Sequence, residues 1–290
     1  MSNFLNNFLF AGLLALGILP GGAAAVDAPK VADLLRAASS RDGHFVEASS
    51  TALEAATRLF LGLAKNGPTP QAHADAAALE FEILRASAPA SWVLQEKGSA
   101  RQGRGFFVFR DAPGQGVLQV PHAFKDEMTR DIGLALFAEG QFAAAVWNTV
   151  PRNVADMAHR ENTHFQSFTR AVAQAWPSAG VLQIHGFDQG KRKTQAGAAA
   201  ELILSAGHGQ PPAALRRQWN CLSRRLGRPV ALFPETAQEL GGTGNAQVAL
   251  LLGLGFKGFV HAEISRPLRE SLRDDPALRG IFLNCLQAGE

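Results

Sequence analysis

Three stretches of this chain end an apolar run in side chains that can bind a metal or move a proton. Residues 116–129 read GVLQVPHAFKDEMT, so His122 follows the run, with Asp126 and Glu127 four and five positions on. Residues 179–187 read AGVLQIHGF, where His185 ends the run and Gly186 lets the chain turn sharply. Residues 255–269 read GFKGFVHAEISRPLR, and period-two alternation sets Phe259, His261 and Glu263 on one side of a strand. Singly, each has a plain reading: a polar surface loop, a hydrogen-bonded strand-end histidine, and a salt bridge from Glu263 to Arg266 or Arg269. Together, two histidines and a carboxylate can hold Zn²⁺ and leave a fourth position open, while a further Glu takes a proton from water. That set suffices for amide hydrolysis.

These residues need a scaffold that gathers distant strand ends. Residues 27–88 read as helices: Val31, Leu34, Leu35 and Ala38 recur at helical spacing, as do Leu53, Ala56, Leu59, Phe60 and Leu63. Gly67-Pro68-Thr69-Pro70 punctuates, and a third helix is predicted over 71–87. From 91 onward short apolar runs alternate with amphipathic helices. Segments 91–96 and 105–110 read as paired strands; 116–121, 143–150, 180–185, 200–205, 229–233 and 258–264 as strands; and 130–139, 163–176, 212–226, 245–254 and 267–286 as helices. The alternation predicts a three-layer α/β fold with a mostly parallel (mixed) central sheet covered on both faces. Ligands of such sheets bind outside the C-terminal ends of the strands, where the three stretches fall. The expected organisation is a signal peptide over 1–25, a helical N-terminal extension over 26–90 and an α/β domain over 91–290.

Composition narrows the choices. The chain has 290 residues and is 47% hydrophobic and 18% charged, which fits a globular protein and not a disordered one. Net charge is only +3, so no nucleic-acid partner is expected. The chain has no Tyr, which excludes mechanisms that need a phenol. Residues 1–25 carry no charged side chain; the apolar run 8–19 is too short to span a bilayer, and Ala23-Ala24-Ala25 offers small residues for cleavage. This predicts export, with no stable membrane span after cleavage and a periplasmic or secreted protein. In an oxidising compartment Cys221 and Cys285 are either bridged or two buried thiols.

Two further motifs are set aside. Residues 253–258 fit G-x-G-x-x-G but end a helix and enter a strand, the reverse of the dinucleotide motif. His159 and His164 lie five apart, roughly 140° around a helix, so they do not share a face as a zincin pair does.

The order of these motifs resembles the zinc-dependent carboxypeptidase-like amidohydrolases, especially the poly-γ-glutamate hydrolase and N-formylglutamate amidohydrolase branches. The resemblance rests on Pro121-His122 with Asp126 or Glu127, on Ile184-His185-Gly186, on His261-Ala262-Glu263-Ile264-Ser265 with Arg269, and on Gly241-Gly242-Thr243-Gly244-Asn245 before the penultimate helix. It covers about residues 105–290. It implies a phosphorylase/hydrolase-like fold, Zn²⁺ held by His122, His185 and one of Asp126 and Glu127, and Glu263 as general base. Asp126 is preferred, because Thr129 then completes the family's acid-x-x-Thr pattern. The His-to-acid spacing departs from the usual His-x-x-Glu. Residues 148–160 reach the same rim, where Arg152 or Arg160 can pair with a substrate carboxylate and His159 can hydrogen-bond a substrate or one of the metal ligands; Asn245 and Arg269 join the expected substrate-binding set. The alternative for Asp156 and these arginines is structural ion pairing. The expected activity is an exported zinc-dependent amide hydrolase acting on a small acidic or peptide-like substrate. The alternative is a non-catalytic periplasmic binding or scaffold protein on the same fold.

Overall fold

A computed structural model describes residues 28–98, 101–112, 114 and 116–287. The expected signal peptide lies outside the described residues. Three helices come first: α1 (Val31–Ala38), α2 (Ser50–Asn66) and α3 (Pro70–Ala78). An antiparallel meander follows, β1 (Phe81–Ser87), β2 (Ala90–Glu96) and β3 (Phe106–Arg110). Then come β4 (Gly116–Val120), α4 (Thr129–Glu139), β5 (Phe142–Trp147), α5 (His164–Ala175), β6 (Gly180–Phe187), α6 (Gln195–Ala199), β7 (Leu202–Ser205), α7 (Ala213–Arg225), β8 (Val230–Leu232), α8 (Ala246–Gly253), β9 (Phe259–Ser265), α9 (Arg266–Asp274) and α10 (Pro276–Gln287).

The nine strands form one sheet in the order β1-β2-β3-β5-β4-β6-β9-β7-β8. Its centre, β5-β4-β6-β9, is parallel, with antiparallel contacts at β3–β5 and β9–β7. The mixed α/β sheet expected from the sequence is therefore the one observed. Alternation sorts each strand's side chains to two faces. Phe106, Val108, Leu118, Val120, Ala145, Trp147, Leu182, Ile184, Val260 and Ala262 join one core with residues of α1, α4, α7, α9 and α10. Phe107, Phe109, Val117, Ala144, Val146, Val181 and Phe259 join the other with α2, α3, α5 and α8. The N-terminal helices thus pack into the same two cores as the sheet.

Three elements differ from the sequence expectation. The helix expected to reach 87 stops at Ala78, and residues 81–87 form β1. Glu, Leu, Arg and Ala there favour a helix, but pairing with β2 overrides propensity. The strand expected to reach 150 ends at Trp147. The single C-terminal helix is broken between Asp274 and Pro276, because Pro276 has no N–H and Asp275 caps the next helix through Ala277 N–H at 2.8 Å. Cys221 of α7 and Cys285 of α10 are joined by a disulfide. Among the described residues no helix is long and apolar enough to cross a membrane.

Candidate metal and proton-transfer site

On the α2/α5/α8 face, the central strands change character along their length. Val117, Val181 and Phe259 begin them, and Gln119, Gln183 and His261 follow as a buried row across β4, β6 and β9. The next row pairs His185 with Glu263 on adjacent strands. His122 lies just past the end of β4 and is buried. A cavity of about 850 Å³ opens over these strand ends, and His122, Asp126, His185, His261 and Glu263 all line it.

Three potential ligand atoms converge at its floor. His122 Nδ1 is 3.0 Å from His185 Nδ1 and 3.2 Å from Asp126 Oδ2, and His185 Nδ1 is 3.5 Å from that same oxygen. Asp126 is turned inward by a tight loop in which its N–H donates to His122 O at 3.1 Å and its own carbonyl accepts from Thr129 N–H at 3.1 Å. The Thr129 hydroxyl donates to the same carbonyl at 2.7 Å. Gly186 N–H donates to Asp126 Oδ2 at 2.9 Å. A Cβ at Gly186 would lie 2.4 Å from Arg269 Nη1, so the strand end and Arg269 fit together only without a side chain at 186.

The far nitrogen of each imidazole is also engaged. His122 Nε2 lies 2.8 Å from Asp156 Oδ1, and Asp156 is held by Arg152 Nε at 2.8 Å and by Ala158 N–H at 3.2 Å. His185 Nε2 lies 2.7 Å from Gln183 Oε1. A carboxylate or amide behind a ring nitrogen fixes the tautomer and turns the other nitrogen's lone pair outward. Two lone pairs and a carboxylate oxygen then face one another at about 3 Å, an arrangement that repels itself unless a proton or a cation lies between. Such a triangle matches an edge of about 3.3 Å for a tetrahedron of N and O ligands about 2.0 Å from zinc. The residues present therefore fit the metal.

Electrostatics favours positive charge at this point, whether carried by a proton or by a cation. Burial pulls the His122 pKa down, but hydrogen bonds to Asp126 and Asp156 outweigh it and raise it. Burial acts to raise Asp126, yet His122 and His185 hold it well below the usual carboxylate range. Asp156 is likewise held low, burial being outweighed by His122, His159 and Arg152. Burial lowers His185 to about 4, and burial together with the negative charge of Asp126 raises Glu263 to about 8. A cation beside Glu263 would restore its ionised form.

The other expected residues separate. Glu127 lines the cavity but is exposed and pairs with Arg266 at 3.2 Å, so it is not brought to the metal triangle. Arg266 also pairs with Glu270 at 3.1 Å, and no ion pair joins Glu263 to Arg266 or Arg269 among the described residues. Arg152, His159 and Asn245 line the cavity. Arg269 lines it too, but is buried and gives Nη1 to the carbonyls of Ile264 and, at 3.3 Å, Phe187. Arg160 is elsewhere, paired with Glu47 and stacked over the Phe45 ring at 4.8 Å. Sequence reasoning missed the role of Asp156, which it treated as a structural ion pair, and of Gln183. It set His261 on the right face without giving it a part. His261 Nδ1 is buried with no partner, and His261 Nε2 lies 3.8 Å from Glu263 Oε1. Gly242, at φ +65°, leaves room for that ring: a Cβ there would meet Cδ2 at 2.9 Å.

The fold and site together define an α/β protein with a His-Asp-His centre at the floor of an open cavity. Among family models and curated proteins, none matches this sequence. Solved structures are loosely similar in fold. One is a gene product, Atu2144, of Agrobacterium tumefaciens, with 14% identity over 61% of this chain and 90% of that one, at TM-score 0.45. Another is the zinc-free form of YndL, with 12% identity over 64% and 89% of the two chains, at TM-score 0.39. A third is the tripeptide-bound cell shape determinant Csd4 of Helicobacter pylori, with 12% identity over 61% and 52%, at TM-score 0.39. At such scores the likeness carries no weight, and the reading of the site rests on its own atoms.

Proposed function

We propose that this protein is an exported zinc-dependent amide hydrolase. His122, Asp126 and His185 hold the metal, and Glu263 is the general base. The single observation that carries this is the triangle of His122 Nδ1, His185 Nδ1 and Asp126 Oδ2, with edges of 3.0, 3.2 and 3.5 Å and each imidazole backed by a carboxylate or amide oxygen. Zinc, when bound, lowers the pKa of water and polarises a carbonyl. Glu263 takes the water's proton as the amide carbon is attacked and delivers it to the leaving nitrogen. It is buried at the cavity floor, one strand from His185. Asp156 orients His122. Arg152 and His159 at the cavity rim are the groups available to orient a small acidic or peptide-like substrate, with Asn245 and Arg269, buried and bonded within the protein, lining the cavity behind them. The order of the sequence motifs, which resembles the amidohydrolases named above, supports the same reading.

Export to the periplasm or beyond is supported by the Cys221–Cys285 bridge, since such bonds persist in oxidising compartments. The test is zinc content followed by hydrolysis of a panel of peptide, γ-glutamyl and N-acyl amides. One zinc per chain is expected, lost in His122→Ala and His185→Ala. Glu263→Gln should keep the metal and lose hydrolysis by about a thousandfold. Wild-type protein without zinc after incubation with the metal overturns the proposal, and full activity in Glu263→Gln removes the role of Glu263.

A further inference from the structure

Glutamine is an unusual occupant for the middle of a buried parallel strand, yet Gln119 and Gln183 sit side by side on β4 and β6, both fully buried. Leu or Val would fill those positions without the cost of desolvating an amide. Each amide is instead satisfied in a continuous chain. Gln183 Nε2 donates to Gln119 Oε1 at 2.8 Å, Gln119 Nε2 donates to Thr169 Oγ1 at 2.9 Å, and the Thr169 hydroxyl donates to Phe165 O at 2.9 Å. Gln183 Oε1 accepts from Asn245 Nδ2 and lies 2.7 Å from His185 Nε2. Asn245 Oδ1 in turn accepts from Gln247 N–H at 2.9 Å.

Both ends of this chain are tied to backbone groups that have one role only. Phe165 O can accept but not donate, so the single hydroxyl proton of Thr169 is used there and its oxygen must accept from Gln119. Gln247 N–H can donate but not accept, so Asn245 presents its NH₂ to Gln183. Neither amide can flip without breaking a bond at one end. The consequence reaches His185: facing an oxygen whose orientation is fixed twice over, its Nε2 must carry a proton, so in the neutral ring it is Nδ1 that is left bare.

We propose that Gln183 is a positioning residue, and that the buried chain Thr169–Gln119–Gln183, closed by Asn245, locks His185 in the Nε2–H tautomer with the Nδ1 lone pair aimed at the Asp126–His122 triangle. The tautomer does not depend on the hydrolase reading; its use in metal binding does. A ring free to exchange tautomers would spend part of its time with a proton where the metal must bind.

The test is long-range ¹H–¹⁵N correlation of the histidine rings in the zinc-free full chain at neutral pH, with zinc affinity measured by chelator competition. In wild-type protein His185 Nδ1 should give the shift of an unprotonated ring nitrogen and Nε2 that of an N–H. Gln183→Leu should give averaged nitrogen shifts and bind zinc roughly tenfold to a hundredfold more weakly. Thr169→Val keeps the side-chain shape, folds by the same packing, and should produce a smaller change in the same direction by releasing Gln119. A wild-type His185 protonated on Nδ1 overturns the proposal, as does a folded Gln183→Leu or Thr169→Val protein with wild-type ring shifts. Should wild type show the Nε2–H ring but take up no zinc, the hydrolase reading fails and the tautomer lock stands. If zinc binds but the ring is Nδ1–H, the reverse holds.

Discussion

Two regions of the molecule bury a histidine and treat it in opposite ways. His164 opens α5 on the antiparallel flank, its ring 5.4 Å from Phe81 at the edge of an aromatic cluster. Burial, with Arg104 nearby, pushes its pKa down to about 4. His122, equally buried at the end of the parallel centre, is pushed up, because two carboxylates outweigh the same desolvation. The flank is built on aromatic packing: Phe60, Phe81, Phe107, Phe109 and Phe168 pack ring on ring. The centre is built to receive charge. Stability should therefore be concentrated in the first region and chemistry in the second, and substitutions ought to separate the two.

The largest stability effect is expected on the flank. Phe107→Ala removes a fully buried ring 4.5 Å from Phe60 and 5.6 Å from Phe168, and should cost about 4 kcal/mol in denaturant unfolding. Zinc affinity of the folded fraction should be unchanged. A matched loss, about 4 kcal/mol, is expected on replacing both Cys221 and Cys285 by Ser, because the bridge closes a loop with a sequence separation of 64. That cross-link lies in the other helical layer, so hydrolysis measured below the melting point should persist.

Acid sharpens the contrast further. His164 is neutral in the fold, whereas the unfolded chain takes up a proton below about pH 6.5. Stability is then full at neutral pH and falls as the pH drops from about 6.5 toward 4, by about 3 kcal/mol for this residue. In His164→Phe the acid-induced loss between pH 7 and 4 should shrink by about that amount; an unchanged pH profile would show that His164 does not carry it. In the centre, Asp156→Asn should leave unfolding within about 1 kcal/mol of wild type but weaken zinc about tenfold to a hundredfold, read by chelator competition, since His122 loses its carboxylate partner. The smallest effect belongs to Glu127→Gln: its exposed pair with Arg266 should change stability by less than about 0.5 kcal/mol and zinc affinity not at all.

Much of the centre could be read from the chain, because a parallel strand buried on both faces is an apolar run, and a His or Glu interrupting it near its end stands out. The alternation that set His261 and Glu263 on one side was sufficient to bring them to the same cavity. Choosing between Asp126 and Glu127 was a different matter. One residue's difference in a tight turn decides which carboxylate faces inward, and that turn is set by Thr129 and the His122 carbonyl. Asp156 was harder still, since its partner His122 is 34 residues away in sequence and reached through a loop. Gln119 and Gln183 gave a signal, as polar interruptions inside apolar runs, but a strand pattern scored by hydrophobicity treats them as minor blemishes. The limit of α3 was hidden because residues 81–87 have helix-forming composition and become a strand only by pairing with β2.

The order of the sheet has one more consequence. Among the described residues the nine-stranded sheet has two outer strands with no further strand beside them, and both are poor templates for another chain. β8 offers only three residues, Val230–Leu232, hemmed between Pro229 and Pro234, neither of which has an N–H to lend. β1 carries Glu82 and Arg85, which bond Gln95 at 2.8 Å and Asp111 at 2.6 Å and keep charge along that border. Short length, proline and charge at the two borders thus discourage the growth of the sheet by strand addition, the route by which exposed edges seed aggregation.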